Sequence, residues 1–225
     1  MKKYYLLLFI VILFSLTSCA RSIGTQDEIL TLNFDITLKQ APNLNDTIYL
    51  IVFSYENEIL PSTQTSLNEY FFFPGKVFNS TELANLSRDI TYYYANYFNT
   101  WSKFIYISGS DVELIDSGSL FPSSSTDNFI YTQSLNFENI LSINDNTLSI
   151  SADITKLGYL ENDTVSVSLL TFNKSNFIES GLFQDISDLT EIISLVKFNQ
   201  KSLTSLENTF INPQADIIKW DYSIY

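Results

Sequence analysis

The sequence predicts a mainly β protein: an antiparallel β-sandwich, Ig-like or jelly-roll-like, with one or two inserted helices. Three observations carry that expectation. Several segments alternate apolar and polar residues with the period of two that a half-buried strand requires. Only 6 glycines and 5 prolines occur, while Asn, Asp and Ser cluster between the alternating segments and can serve as turn formers. Hydrophobic residues make up 45% of the 225-residue chain and include 18 Phe and 14 Tyr, ample material for a core.

The elements follow in order. Leu30 to Leu38 alternates without a fault and predicts a strand with one buried face. Pro42-Asn43-Leu44-Asn45-Asp46 reads as a turn, and Ile48 to Phe53 as a strand buried on both faces, because its apolar run is continuous. Tyr70 to Phe73 is an aromatic run stopped by Pro74-Gly75. From Ser80 the spacing changes to three and four, through Leu83, Leu86, Ile90, Tyr93 or Tyr94, Tyr97 and Trp101, which predicts an amphipathic helix capped by Ser80 or Thr81.

Phe104–Ile107 and Val112–Ile115 predict two strands joined by Ser108-Gly109-Ser110-Asp111, and Phe129 to Phe137 predicts another strand. Asn144-Asp145-Asn146 reads as a tight hairpin turn before a strand over Leu148–Ile154, and Leu157-Gly158 as the turn before Val165–Leu169. Leu189, Ile192, Ile193 and Val196 recur at helical spacing and predict a second helix over 186–198, capped by Asp185 or Ser187. Ile218 to Tyr225 alternates again and should close a sheet. About eight strands without regularly alternating helices favour antiparallel pairing.

The N-terminus carries an address. Met1-Lys2-Lys3 precedes an apolar run from Tyr4 to Phe14, shorter than the roughly 20 residues a membrane-crossing helix needs. Leu16-Thr17-Ser18-Cys19 follows and resembles the lipobox of bacterial lipoproteins. The resemblance implies cleavage after Ser18 and lipidation of Cys19, in a bacterial cell envelope, with the chain facing the periplasm or the cell exterior. Cys19 is the only cysteine, so no disulfide forms within the chain and lipidation gives the lone thiol a purpose. The expected organisation is therefore a signal peptide over 1–18, a polar tether over 19–28 and a single β domain over 29–225.

Composition excludes much. Residues 1–18 hold Lys2 and Lys3 and no acid, so the remainder carries 10 basic and 25 acidic side chains, a net charge of −15. Nucleic acid, which is held through clustered Lys and Arg, is not an expected partner. There is no histidine. His-based catalytic triads, His or Cys zinc sites and His-ligated haem are thereby ruled out. No glycine-rich phosphate loop occurs. No cofactor is expected.

The Leu30 to Phe53 stretch, with its Asn43–Asp46 turn, resembles the opening of carbohydrate-binding family 9 and DOMON-type sandwich domains. Ser149–Ile154, Leu157-Gly158 and Val165–Phe172 resemble the same domains. The aromatic insertion over 61–103 departs from their pattern. The resemblance implies a sandwich fold and carries no ligand residue across.

Candidate sites follow from chemistry. An aromatic ring stacks on the C–H face of a sugar, and Tyr97, Trp101, Trp220 and Tyr222, with Tyr92-Tyr93-Tyr94 and Phe98, are candidates; filling a core is the competing use of the same rings. Asp111, Glu113 and Asp116, or Asn144-Asp145-Asn146, are the nearest approach to calcium ligands, without EF-hand spacing; solvated turns are the competing reading. Two carboxylates suffice for a glycosidase, and the 25 acids leave that class formally open without singling out a pair. The expected function is a non-enzymatic, membrane-anchored binding or structural module whose partner is a glycan or an envelope protein.

Overall fold

Alternation in sequence becomes alternation in burial. In β1 (Thr31–Leu38), residues Leu32, Phe34, Ile36 and Leu38 are buried, while Asp35 between them is exposed and Asn33 and Thr37 are half-buried. The computed structural model describes residues 29–56, 59, 70–72, 100–109, 111–116, 134–136, 141–174, 180–186, 190–205 and 212–225. They hold thirteen strands. After β1 come β2 (Thr47–Ser54), β3 (Tyr70–Phe72), β4 (Lys103–Ser108), β5 (Asp111–Asp116), β6 (Ser134–Asn136) and β7 (Leu141–Asn144). These are followed by β8 (Thr147–Asp153), β9 (Thr164–Lys174), β10 (Ser180–Ile186), β11 (Glu191–Ser194), β12 (Gln200–Thr204) and β13 (Ile217–Ile224).

Two antiparallel sheets form, in the sandwich-like arrangement expected. One has the order β12-β13-β1-β8-β7. The other has eight strands, in the order β3-β10-β9-β2-β4-β5-β6, with β11 also paired to β9. Their inner faces share one core. Phe34 of β1 meets Phe53 of β2 edge-on, ring centroids 6.2 Å apart, and lies 6.1 Å from Trp220 of β13. Interlocked aromatics of this kind remove 150–250 Å² each from water, which is the main favourable term in folding a sandwich.

β2 is buried at every position, as its unbroken apolar run predicts. Tyr49, Ile51 and Phe53 belong to the shared core. Ile48, Leu50 and Val52 belong to a second buried layer on the other face, beside Leu170 and Phe172 of β9 and Phe104 of β4. Trp101 packs edge-on against Phe104 in that layer, 5.4 Å between centroids.

The turns use the chemistry the sequence offers. Asp145 takes φ 51° in the two-residue connection between β7 and β8, a conformation that Asp and Asn tolerate. Asn146 then donates its side-chain amide to the Leu38 carbonyl (2.8 Å), tying this turn to the end of β1. Gly158, at φ 77°, ends the turn after β8. At the same Leu38 end of β1, Tyr49 Oη donates to the Gln214 carbonyl (2.8 Å) and accepts from the Asn43 amide (3.2 Å), and burial pushes its pKa up to about 12.

One predicted helix is overturned, and the other falls almost wholly outside the described residues. In the described part of 186–198, the chain forms β11, antiparallel to β9, followed by a turn. Ile193 is buried and Ile192 exposed, the alternation of a strand rather than the stripe of a helix. Asp185, expected as a cap, is a buried residue of β10 that accepts the Ile217 amide at 2.8 Å. Of the predicted helix from Ser80, only Thr100 and Trp101 lie within the described residues. Phe129–Gln133 and Phe137 also fall outside them.

Candidate functional site

The five-stranded sheet turns a polar face away from the core. Cross-strand pairing places its outward residues in rows. Gln200, Ser223, Asn33 and Ser151 form one row, and Ser202, Asp221, Asp35, Ser149 and Ser142 the next. Thr204, Lys219, Thr37, Thr147 and Asn144 form a third. Apart from Asp35, Asp221 and Lys219, every member is a neutral hydroxyl or amide. Strands lie about 4.8 Å apart and same-face residues of one strand about 6.7 Å apart, so the face is a lattice of donors and acceptors at regular spacing.

Part of this lattice is concave. A groove of about 490 Å³ is lined by Asn33, Asp35, Ser142, Ser149, Ile150, Ser151, Ser223 and Tyr225. Its side chains hold one another. Ser151 Oγ donates to Asn33 Oδ1 (2.6 Å), Asn33 Nδ2 donates to the Ser223 carbonyl (3.4 Å), and Ser149 Oγ donates to Asp35 Oδ1. Short Ser and Asn side chains fixed by such contacts lose little rotamer freedom when a ligand arrives. Asp35 and Asp221 stand opposite each other, a costly placement for like charges, and Lys219 Nζ lies 2.8 Å from Asp221 Oδ2.

The residues proposed from sequence fall elsewhere. Trp101 and Trp220 are each only 2% exposed, and Tyr222 is also buried. Trp220 and Tyr222 point from β13 into the core, 6.2 Å apart, and Trp101 sits in the outer apolar layer. None of the three offers a ring face to a sugar: the even positions of β13 are its inner ones, and packing claims the rings. Burial and the nearby Glu191 carboxylate raise the Tyr222 pKa above its ordinary value. Tyr97, Tyr92–Tyr94 and Phe98 lie outside the described residues, as does Cys19. The aromatic at the groove is Tyr225, which the alternation over Ile218–Tyr225 places on the outward face.

The calcium candidates of the 111–116 segment lie along a single strand. Asp111, Glu113 and Asp116 are spread along β5, where positions 111 and 113 share one face of the strand and 116 falls on the other. Among the described residues no three potential metal-ligating side chains come together. Asn144-Asp145-Asn146 serves as the hairpin connection described above.

No protein family, curated protein or solved structure matches this chain. The polar rows are present in the sequence as the odd-numbered residues Thr31 to Thr37 of LTLNFDITL and the polar positions of TLSISAD. Sequence alone does not single them out, because a polar alternation also marks a merely solvated face. What singles this face out is the register, which brings four strands' polar positions to one groove.

Proposed function

We propose that the protein is a non-enzymatic, lipid-anchored module of a bacterial cell envelope that binds a neutral, hydroxyl-rich ligand, a glycan, on the outer face of the five-stranded sheet. The groove bounded by Asn33, Asp35, Ser149, Ser151 and Ser223 carries this reading. Its donors and acceptors match a polyol. Asp35 and Asp221, with the −15 charge of the chain after residue 18, disfavour anionic ligands. The lipobox-like Leu16-Thr17-Ser18-Cys19 supports the anchor, and the resemblance to carbohydrate-binding family 9 and DOMON-type domains supports an Ig-like or jelly-roll-like sandwich. The absence of histidine supports a binding role over catalysis.

The test is affinity electrophoresis and calorimetry of the detergent-solubilised full chain against a panel of neutral polysaccharides. Asn33→Ala with Ser149→Ala removes two hydrogen-bonding groups at about 1 kcal/mol each, so binding should weaken roughly 30-fold. Trp220→Phe, a substitution in the core, should leave affinity unchanged. Indifference of every neutral glycan, or binding that survives the double substitution, would end this reading.

A further inference from the structure

The large apolar side chains exposed among the described residues are not scattered. Ile29, Tyr55, Leu160, Phe198 and Tyr225 are each more than half exposed, Phe198 and Leu160 at 72% and 70%. Strand directions place all five at one end of the sandwich. Thr31 of β1 pairs with Asp153 at the end of β8, and Leu32 with Ile224 at the end of β13. Gln200 at the start of β12 pairs with Ser223, and Ser54 at the end of β2 with Ser166 near the start of β9. The connections at that end carry Tyr55, Leu160 and Phe198, and β1 enters there through Ile29. The other two exposed residues of this kind, Ile143 and Ile192, lie on β7 and β11.

Phe198 is held out deliberately by its backbone. It takes φ 66°, a left-handed conformation that is costly for a bulky residue and persists only where the surroundings enforce it. Its amide donates to the Ile224 carbonyl (2.8 Å), and the Ile224 amide donates to the Asn199 carbonyl (2.9 Å). The strained turn keeps the ring in solvent with Lys197 Nζ 5.4 Å from its centre. Backbone strain at a residue whose aromatic ring stands in solvent points to a use for that ring.

We infer that this end is a membrane-facing tip, whose apolar side chains enter the interface of the bilayer that holds Cys19. The inference rests on the lipid-anchor reading above. A stretch of ten residues, the length of 19–28, reaches at most about 35 Å. It joins the fold at Ile29, in the tip itself. The far end of β1 lies about 27 Å further away, at a rise of about 3.4 Å per residue. The tether thus holds the tip against the surface at high effective concentration and leaves the glycan face standing upright beside it. Phe and Leu enter the acyl boundary, while the Tyr rings and Lys197 suit the headgroup level. Charge at this end is mixed, Glu56 and Glu161 against Lys156 and Lys197, so the preference for a zwitterionic over an anionic surface comes from the net charge of −15 on the chain after residue 18.

The experiment places single Trp reporters in the full, processed chain on phosphatidylcholine vesicles. Phe198→Trp and Leu160→Trp report the tip, and Gln40→Trp the opposite end; the parent signal from buried Trp101 and Trp220 is subtracted. Brominated phosphatidylcholine should quench either tip reporter at least threefold more than the Gln40→Trp reporter, with blue-shifted emission. Mass analysis of Cys19 and vesicle flotation against Cys19→Ser run alongside. Lipid present on Cys19 with equal quenching at both ends overturns the tip orientation alone. A tip reporter shielded from aqueous iodide yet untouched by brominated lipid overturns it too, and assigns the tip to a second copy of the chain. A native Cys19 without lipid overturns the anchor and the tip together.

Discussion

At the residue scale, side chains in this chain are used where short-range chemistry settles their energy. Trp220 and Tyr222 fill the core because they occupy inward positions of a strand paired on both sides. Asp153 shows the polar counterpart. Its Oδ1 accepts from the Thr155 amide (2.8 Å) and the Thr155 hydroxyl (2.6 Å), clamping the turn that leaves β8. Burial works against its ionised form, but the Thr155 and Lys156 donors outweigh burial and its pKa is lowered. The folded carboxyl therefore releases its proton at lower pH than the unfolded one, which titrates near 3.9. Its stabilisation is present above that value and is lost as pH falls through the folded pKa. Asp153→Asn should lower stability by roughly 1 kcal/mol at pH 6, and the difference between the two proteins in urea unfolding should shrink as pH falls through the lowered pKa of the folded carboxyl. A difference that stays constant from pH 6 to pH 2.5 would show that ionisation of Asp153 contributes nothing.

At the element scale, the turn after β8 sets how that strand hands over to β9. Gly158 takes φ 77°, and a Cβ there would lie 2.3 Å from Lys103 Nζ. That ammonium donates to the Leu157 carbonyl (2.8 Å) and sits 5.3 Å from the Tyr159 ring centre, so the turn is stapled to β4. Gly158→Ala should cost about 1–3 kcal/mol through backbone strain and loss of the staple. In a Lys103→Met background part of that cost should vanish, and chemical denaturation of the four proteins gives the coupling. Full parental stability in Gly158→Ala would mean the turn relaxes freely.

Elements of this kind were legible wherever burial followed local periodicity. β1, β2, β4, β5, β8 and β13 announce themselves by alternation or by an unbroken apolar run, and the β7–β8 hairpin by Asn-Asp-Asn. β11 did not, because Leu189, Ile192, Ile193 and Val196 fit a helical stripe equally well, and only pairing with β9 distinguishes the two. β12, Gln-Lys-Ser-Leu-Thr, has too little apolar content to register as a strand; its pairing with β13 defines it. Lys201 of β12 bonds both Glu191 oxygens (2.7 and 2.8 Å), an inter-sheet link that no local pattern encodes. The polar groove is a product of register in the same way.

At the scale of the whole molecule, charge is the term that remains. The chain after residue 18 carries 25 acids against 10 bases, so repulsion outnumbers attraction even though Lys201–Glu191 and Lys219–Asp221 pair. Net charge of this size works against the compact state and is screened by salt, with a Debye length of about 30 Å at 0.01 M and 10 Å at 0.1 M. Raising sodium chloride from 0.01 to 0.3 M should therefore raise the Tm by a few degrees, because a domain of this size gains about 2–4 °C per kcal/mol. The same screening acts on the tip. On vesicles containing phosphatidylglycerol, quenching of the Phe198→Trp reporter by brominated lipid should be weak at 0.01 M salt and recover by 0.3 M. On phosphatidylcholine it should not depend on salt. A Tm that falls with added salt would mean that the few attractive pairs outweigh the repulsion, and the predicted lipid-charge dependence of the tip would fall with it.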